Sequence, residues 1–325
     1  MRPTSVLQFD LRRGPACPDS QQSRYQAALE MVKWADQSGI SVVGFSEHHN
    51  TEDGFLSSPL LMAAAAAQIT TRVSLSVSAL LLPLHDPIRV AEDIAVLDLI
   101  SGGRFMAVVG LGYRELEYQT MGVDWSSRGT VMDEKLEVLL TALRGERFNH
   151  RGVEVRLNPK PARPPQSLVC VGGNSRAAAR RAARFGLMFA PPIDDPALQQ
   201  AYDAECEKTG FNRGAVIYPN EPSLTLLSDD PDRAWQEIGE HLLYDAIAYG
   251  QWRHKTRRAY AESQATSVEA LRAEGKYRIL TPEQAVEQMQ NKGSINLSPL
   301  CGGTPVEFGF QSLELFGSKV LPHFS

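Results

Sequence analysis

The chain has 325 residues, 43% of them hydrophobic, enough to bury a large core as one big α/β domain or as two smaller ones. Its 33 basic and 38 acidic residues leave a formal net charge of -5, which argues against a nucleic-acid or anionic-membrane surface as the main partner. Cys17, Cys170, Cys206 and Cys301 lie far apart, with neither zinc-type nor disulfide-framework spacing, no apolar run approaches spanning length, and the start lacks a cleavage site. A soluble cytoplasmic protein in a reducing compartment is therefore expected.

In chain order, Ser5 to Asp10 reads as a first strand, followed by a turn-rich link with Gly14, Pro15 and Pro18. Tyr25, Leu29, Val32 and Ala35 recur at helical spacing and lead through Ser38-Gly39 into the β-branched run Ile40 to Phe45. That second strand ends abruptly in Ser46-Glu47-His48-His49. Strand residues alternate faces, so Glu47 and His49 are expected on one side and His48 on the other. A lone histidine more often just satisfies a buried hydrogen bond. Three ionisable residues in a row at a strand end are costly to bury without purpose, which makes this stretch the leading candidate site.

Ser58-Pro59 opens the next helix, which contains the five alanines Ala63 to Ala67 and suits close helix-helix approach. Val73 to Leu82 is a strand that turns continuously apolar, His85-Asp86-Pro87 caps a helix stopped by Ser101-Gly102-Gly103, and Phe105 to Val109 is a fourth strand running into Gly110-Leu111-Gly112. Met132 to Leu143 is a long helix, and His150 to Val155 with the proline-rich Asn158 to Pro165 an exposed connection. Leu168 to Val171 resumes the strand pattern and meets Gly172-Gly173-Asn174-Ser175 before the helix Arg176 to Arg184. A Gly-Gly turn at a helix start leaves backbone N-H groups free to hold a phosphate, although a plain helix cap explains the same residues.

Leu187 to Ala190, Leu224 to Leu227 and Ile295 to Leu300 are further strands, with Pro196 to Thr209 and the closing Phe310 to Leu321 as helices. About eight strand-helix units result, the number a closed parallel barrel requires. No repeat or low-complexity linker divides them, so residues 1–325 are expected to form a single barrel domain. The polar segment 241–276, carrying Trp252, Arg257, Arg258 and Tyr260, does not fit a minimal unit and is expected to be an inserted helical lid over the barrel mouth, or else a surface insertion.

With these residues assembled, the chain resembles the bacterial luciferase-like flavin-dependent oxidoreductase family. The resemblance rests on Glu47-His48-His49, Leu82 to Asp93, Leu97-Asp98, Ser101 to Phe105 and the ending Phe316 to Pro322. It implies a TIM (β/α)8 barrel binding FMN or F420 at the carboxyl ends of its strands. His48 matches the family's histidine beside the flavin and Ser78-Ala79 a pair joined by a non-prolyl cis peptide, with Gly110 at the end of the fourth strand. Arg128, Gly173, Asn174 and Ser175 match positions around the flavin phosphate. Where luciferase has a cysteine and then an arginine, this chain has Gly110 and Leu111, and Arg176 is expected to replace the missing cation.

The resemblance implies a monooxygenase that uses reduced FMN from a separate flavin reductase, together with oxygen, to oxygenate an organic and apolar small molecule, with His48 as catalytic residue; Glu47 is the second catalytic candidate, either holding the imidazole tautomer or simply pairing with a backbone amide. F420-dependent hydride transfer on the same barrel is the alternative, and a non-catalytic flavin-binding barrel a third. A homodimer through the alanine-rich helix and the helix after Pro87 is also implied. Phe55, Leu80 to Leu82, Tyr113 and Trp125 suit the wall of an apolar pocket, or ordinary barrel packing.

Overall fold

The computed structural model describes residues 3–211, 214–218, 224–252 and 263–324. In chain order its elements are β1 (Thr4–Phe9), α1 (Gln21–Ser38), β2 (Val42–Phe45), α2 (Pro59–Ile69), β3 (Ser74–Leu80), α3 (Pro87–Ser101), β4 (Phe105–Val109), α4 (Glu115–Thr120), α5 (Arg128–Leu143), β5 (Phe148–His150) and β6 (Val153–Val155). They continue as α6 (Pro165–Leu168), β7 (Val169–Gly172), α7 (Arg176–Arg184), β8 (Phe189–Ala190), α8 (Pro196–Thr209), β9 (Leu224–Leu227) and α9 (Pro231–Gln251). The chain closes with α10 (Val268–Glu274), β10 (Tyr277–Leu280), α11 (Pro282–Lys292), β11 (Ser294–Leu297) and α12 (Val306–Leu315).

The chain folds as two units, the first formed by Met1–Ser57, Ile69–Val73 and Asn220–Ser325, the second by Ser58–Gln68 and Ser74–Pro219. Unit 1 holds parallel strands in the order β10-β9-β11-β1-β2, with Leu7 paired to both Leu297 and Val43. Its apolar core is built around α9, where Trp235, Ile238, Leu242 and Ala246 pack with Leu226, Leu271, Tyr277 and Ile279. Those α9 positions recur every three or four residues, which puts them on one helical face. Glycine at 302 lets α9 come close: its φ is +62°, and a Cβ there would lie 1.9 Å from the His241 carbonyl oxygen.

Unit 2 holds β3-β4-β7-β8, also parallel, and the antiparallel hairpin β5-β6. The register between β3 and β4 shifts between Ser78 and Leu80, where the Ser78-Ala79 peptide is cis, as the family resemblance implies. Side chains set several helix starts, two of them next to the strand ends of this unit. Asp86 accepts the amides of Ile88 and Arg89 to open α3, and Ser175 accepts the Ala178 amide to open α7.

The structure moves several boundaries. The α5 helix begins at Arg128 and not Met132, because Asp124 takes the Ser126 and Ser127 amides and turns the chain into the helix one turn earlier. The stretch read as an exposed connection overlaps the β5-β6 hairpin, which begins at Phe148, β10 was not anticipated, and the last helix starts at Val306 and ends in a wide turn over Phe316–Val320. The segment expected to be a lid begins inside α9, which runs to Gln251, and ends past α10. Its residues 253–262, with Arg257, Arg258 and Tyr260, lie outside the described residues.

Candidate active site

In unit 1 the carboxyl ends of β1 and β2 are laced together. Ser46 N-H donates to the Phe9 carbonyl at 3.0 Å, Leu56 N-H to the Asp10 carbonyl at 2.7 Å, and Arg13 N-H to the Asp53 carbonyl at 2.7 Å. His48 N-H donates to the Leu56 carbonyl at 3.1 Å, which folds residues 48–56 back over the strand end. All three ionisable residues there are buried.

Alternation assigns them different partners. Glu47 Oε1 and His49 Nε2 are 2.8 Å apart, so the carboxylate serves His49. The His48 ring sits among aromatics instead, edge-on to Phe55 at 4.8 Å, tilted on Trp252 at 4.8 Å and edge-on to Tyr249 at 6.4 Å between centroids. Phe55 is thus the one expected wall residue in unit 1, and Tyr249 and Trp252 join it from the end of α9.

Arg12, three residues past the end of β1, escaped notice in the sequence. It is fully buried, with Nε 3.0 Å from Asp53 Oδ2 and Nη1 2.9 Å from Asp245 Oδ1, and its Cζ lies 4.6 Å from the Trp252 ring centroid and 4.7 Å from that of Tyr249. Burial opposes its charge, but Asp245, Tyr249, Asp10 and Asp53 hold the guanidinium protonated. Tyr277 donates its hydroxyl to Asp245 at 2.6 Å and Tyr244 to Asp53 at 3.2 Å. Burial, and then Asp245, push the Asp10 carboxyl up to about 7, against the pull of Arg12.

In unit 2 the remaining expected residues gather at the carboxyl ends of β3, β4 and β7 and at two helix starts. A Cβ on Gly110 would stand 3.0 Å from Ala79 Cβ, so the glycine presses on the cis Ser78-Ala79 pair. The β4-β7 pairing of Val109 with Val171 puts Gly110 and Gly172 at one level. Gly173 has φ +138°, and a Cβ there would meet Ala178 Cβ at 2.9 Å. Asn174 and Ser175 follow, and Arg176, exposed, begins α7.

Arg128 opens α5 with its Cζ 4.0 Å from the Trp125 ring centroid and its Nη1 donating to the Trp125 carbonyl at 2.7 Å. Its Nε is buried with no partner among the described residues. The two helices are tied together: Arg181 of α7 donates to the Gly129 carbonyl at 3.3 Å and pairs with Asp133, as does Arg184. Leu111, standing where luciferase has its arginine, accepts the Tyr118 hydroxyl on its carbonyl at 2.5 Å. Three residues further on, the little-exposed Arg114 pairs with buried Glu117 at 3.3 Å, a second cation that no local sequence pattern marks.

These features define a parallel α/β protein with ionisable and glycine-rich loops at its strand ends. A family model described as luciferase-like monooxygenase matches residues 5–294, and the chain belongs to that family. A 4-hydroxyprotoasukamycin monooxygenase of Streptomyces nodosus subsp. asukaensis is 36% identical over 118 residues, 36% of this chain and 32% of that protein. The matched stretch spans less than half the length of such curated relatives.

Among solved structures, the oxygenating constituent of 3,6-diketocamphane monooxygenase from Pseudomonas putida, in complex with FMN, superimposes with a TM-score of 0.72 at 17% identity, over 100% of this chain and 99% of that one. An F420-dependent secondary alcohol dehydrogenase does so at 0.69 and 18% identity, over 100% of both chains. At such identities they establish the fold, the luciferase-like TIM barrel. No helix among the described residues is long and apolar enough to cross a membrane.

Proposed function

We propose that this chain is the oxygenase of a two-component flavin-dependent monooxygenase, taking reduced FMN from a separate reductase and oxygenating an apolar or aromatic small molecule. The observation that carries the reading is the cradle in unit 2. A left-handed Gly173 whose Cβ space is closed, the backbone amides at the start of α7 and a buried guanidinium nitrogen of Arg128 without a partner among the described residues suit the phosphate of a flavin. Gly110, a residue without a side chain packed against Ala79, suits the close approach of a ring system.

When bound, reduced FMN supplies the electrons and the reaction with oxygen. The protein's own part falls to unit 1. His48, set in Phe55, Tyr249 and Trp252, holds or moves a proton in a site from which those rings exclude water. Glu47 acts at one remove by fixing His49. The same rings are what favours an apolar or aromatic substrate.

Anaerobic titration with reduced FMN and, separately, reduced F420 tests the reading. Saturable binding of FMN at micromolar concentration is expected. Tight F420 binding with none of FMN moves the assignment to F420-dependent hydride transfer, which the family-deviating Leu111 leaves open, and binding of neither removes it. A homodimer belongs to the same proposal: Leu61 on α2 is 73% exposed, and Val96, Leu99 and Ile100 on α3 are exposed too, an apolar surface that a second copy of the chain would cover.

A further inference from the structure

One buried cation of unit 1 that the proposed chemistry leaves unused is Arg12. A buried guanidinium is expensive to desolvate, and an ion pair that only joined two loops would be replaceable by apolar residues at little loss. Here the cost is raised further, since Nη2 is buried with no partner among the described residues.

Its contacts show what the charge is used for. Asp245, Tyr249 and Trp252 fall at i, i+4 and i+7, one face over the last turns of α9, and all three lie against the guanidinium. The Asp245 backbone carbonyl also accepts from Nη1 at 3.2 Å. From the β2 side Phe55 adds a third ring at 5.2 Å. Those same three rings, Phe55, Tyr249 and Trp252, surround His48. The imidazole and the guanidinium therefore share one aromatic shell.

We infer that Arg12 is a positioning residue for His48: it clamps the end of α9 so that Tyr249 and Trp252 stand against the imidazole, and its fixed positive charge offsets Asp53 and Asp245 at that shell. This goes beyond the proposed function and rests on it only in taking His48 as the working group. Among the described residues of unit 1, the titratable groups about the shell are Glu47, His49 and Asp53 on the β2 loop, Asp10 and Arg12 on the β1 loop, Tyr244, Asp245 and Tyr249 on α9, and Tyr277 on β10. With Arg12 removed, two buried carboxylates lose their counter-charge and favour a proton on His48.

The test needs neither flavin nor substrate, so its failure is separable from failure of the monooxygenase reading. The His48 ring signal, assigned by its loss in His48→Gln, is titrated by NMR in the whole protein, in Arg12→Gln and in Arg12→Lys. Arg12→Gln is expected to raise the His48 midpoint by about one pH unit. Arg12→Lys keeps the charge and is expected to leave the midpoint in place while the Trp252 emission, isolated by subtracting Trp252→Phe, shifts because the planar stack is lost. Should Arg12→Gln not fold, Asp53→Asn is expected to lower the midpoint. A protein whose melting temperature falls while the His48 midpoint stays fixed in both Arg12→Gln and Asp53→Asn would show Arg12 to be a loop fastener only.

Discussion

The two units put different chemistry at the ends of similar parallel strands. Past β1 and β2, unit 1 buries Arg12, Glu47, His48, His49 and Asp53, with Asp245 beside them on α9; each costs free energy to desolvate, and Arg12 is offset by Asp53 and Asp245 and Glu47 by His49. Past β3, β4 and β7, unit 2 offers Ala79, Gly110 and Gly173, whose usefulness lies in missing side chains and approachable backbone. On the proposed reading, unit 1 holds and passes protons, and unit 2 lets a flat, anionic molecule approach backbone. The contrast predicts that mutations in unit 1 alter rate and pH response, whereas those in unit 2 alter binding.

The sharpest test of that contrast is His48→Ala. Loss of a general acid-base group typically costs about 100-fold to 10,000-fold in turnover, and that range is expected here with reduced-flavin affinity within a few fold of the parent. Turnover assays with flavin titration read both quantities, and intact turnover would end the assignment of His48.

Next in size is a pH effect on stability from Asp10. Its carboxyl titrates at about 7 in the folded protein against an ordinary value of 3.8, so between those values the folded chain keeps a proton that the unfolded chain has lost. Stability is then highest at or below pH 4 as far as this group is concerned, and it declines as pH rises toward 7, by up to about 1.4 kcal/mol per pH unit. Asp10→Asn, which retains the acceptor for the Arg12 amide, is expected to flatten that decline and to melt higher than the parent at pH 8. Parallel melting curves at pH 5 and 8 that keep the same spacing in both proteins would count against it.

Unit 2 responds on a smaller scale and in a different observable. Gly173→Ala forces a side chain onto φ +138° and against Ala178, a strain of about 1 to 3 kcal/mol that the turn relieves by moving its amides. Flavin affinity is expected to fall by about tenfold to a hundredfold, with the His48 titration unchanged. A shifted His48 midpoint in Gly173→Ala would erase the division of labour between the units.

Much of this fold can be read locally. The strands Phe105–Val109 and Leu224–Leu227 and the helices Arg176–Arg184 and Pro196–Thr209 lie where the sequence puts them, because Gly, Pro and capping residues bound short apolar or amphipathic runs. The β5-β6 hairpin was missed since it is short, polar and half exposed, and β10 since it follows a segment with no apolar period. Alternation at the β2 end correctly separated His48 from the Glu47-His49 pair. Arg12 was illegible for a different reason. It stands beside exposed Arg13 in a turn-like stretch, and its partner Asp245 lies 233 residues away. No local pattern tells the buried arginine from the exposed one.

The smallest expected effect concerns assembly, and it too separates the units. Leu61 leaves most of its side chain in water on α2, and α3 exposes Val96, Leu99 and Ile100, a concentration of apolar residues that a soluble surface does not need. Leu61→Glu places a charge where a partner's apolar side chain would sit, and the dimer's Kd is expected to rise by about tenfold or more, seen as a concentration-dependent loss of mass in light scattering. Flavin affinity and the His48 titration should hold in the separated chains, because neither the Gly173 turn nor the Arg12 shell includes a residue of α2 or α3. A chain that scatters as a monomer before the substitution would assign those helices another partner and leave the rest of the comparison standing.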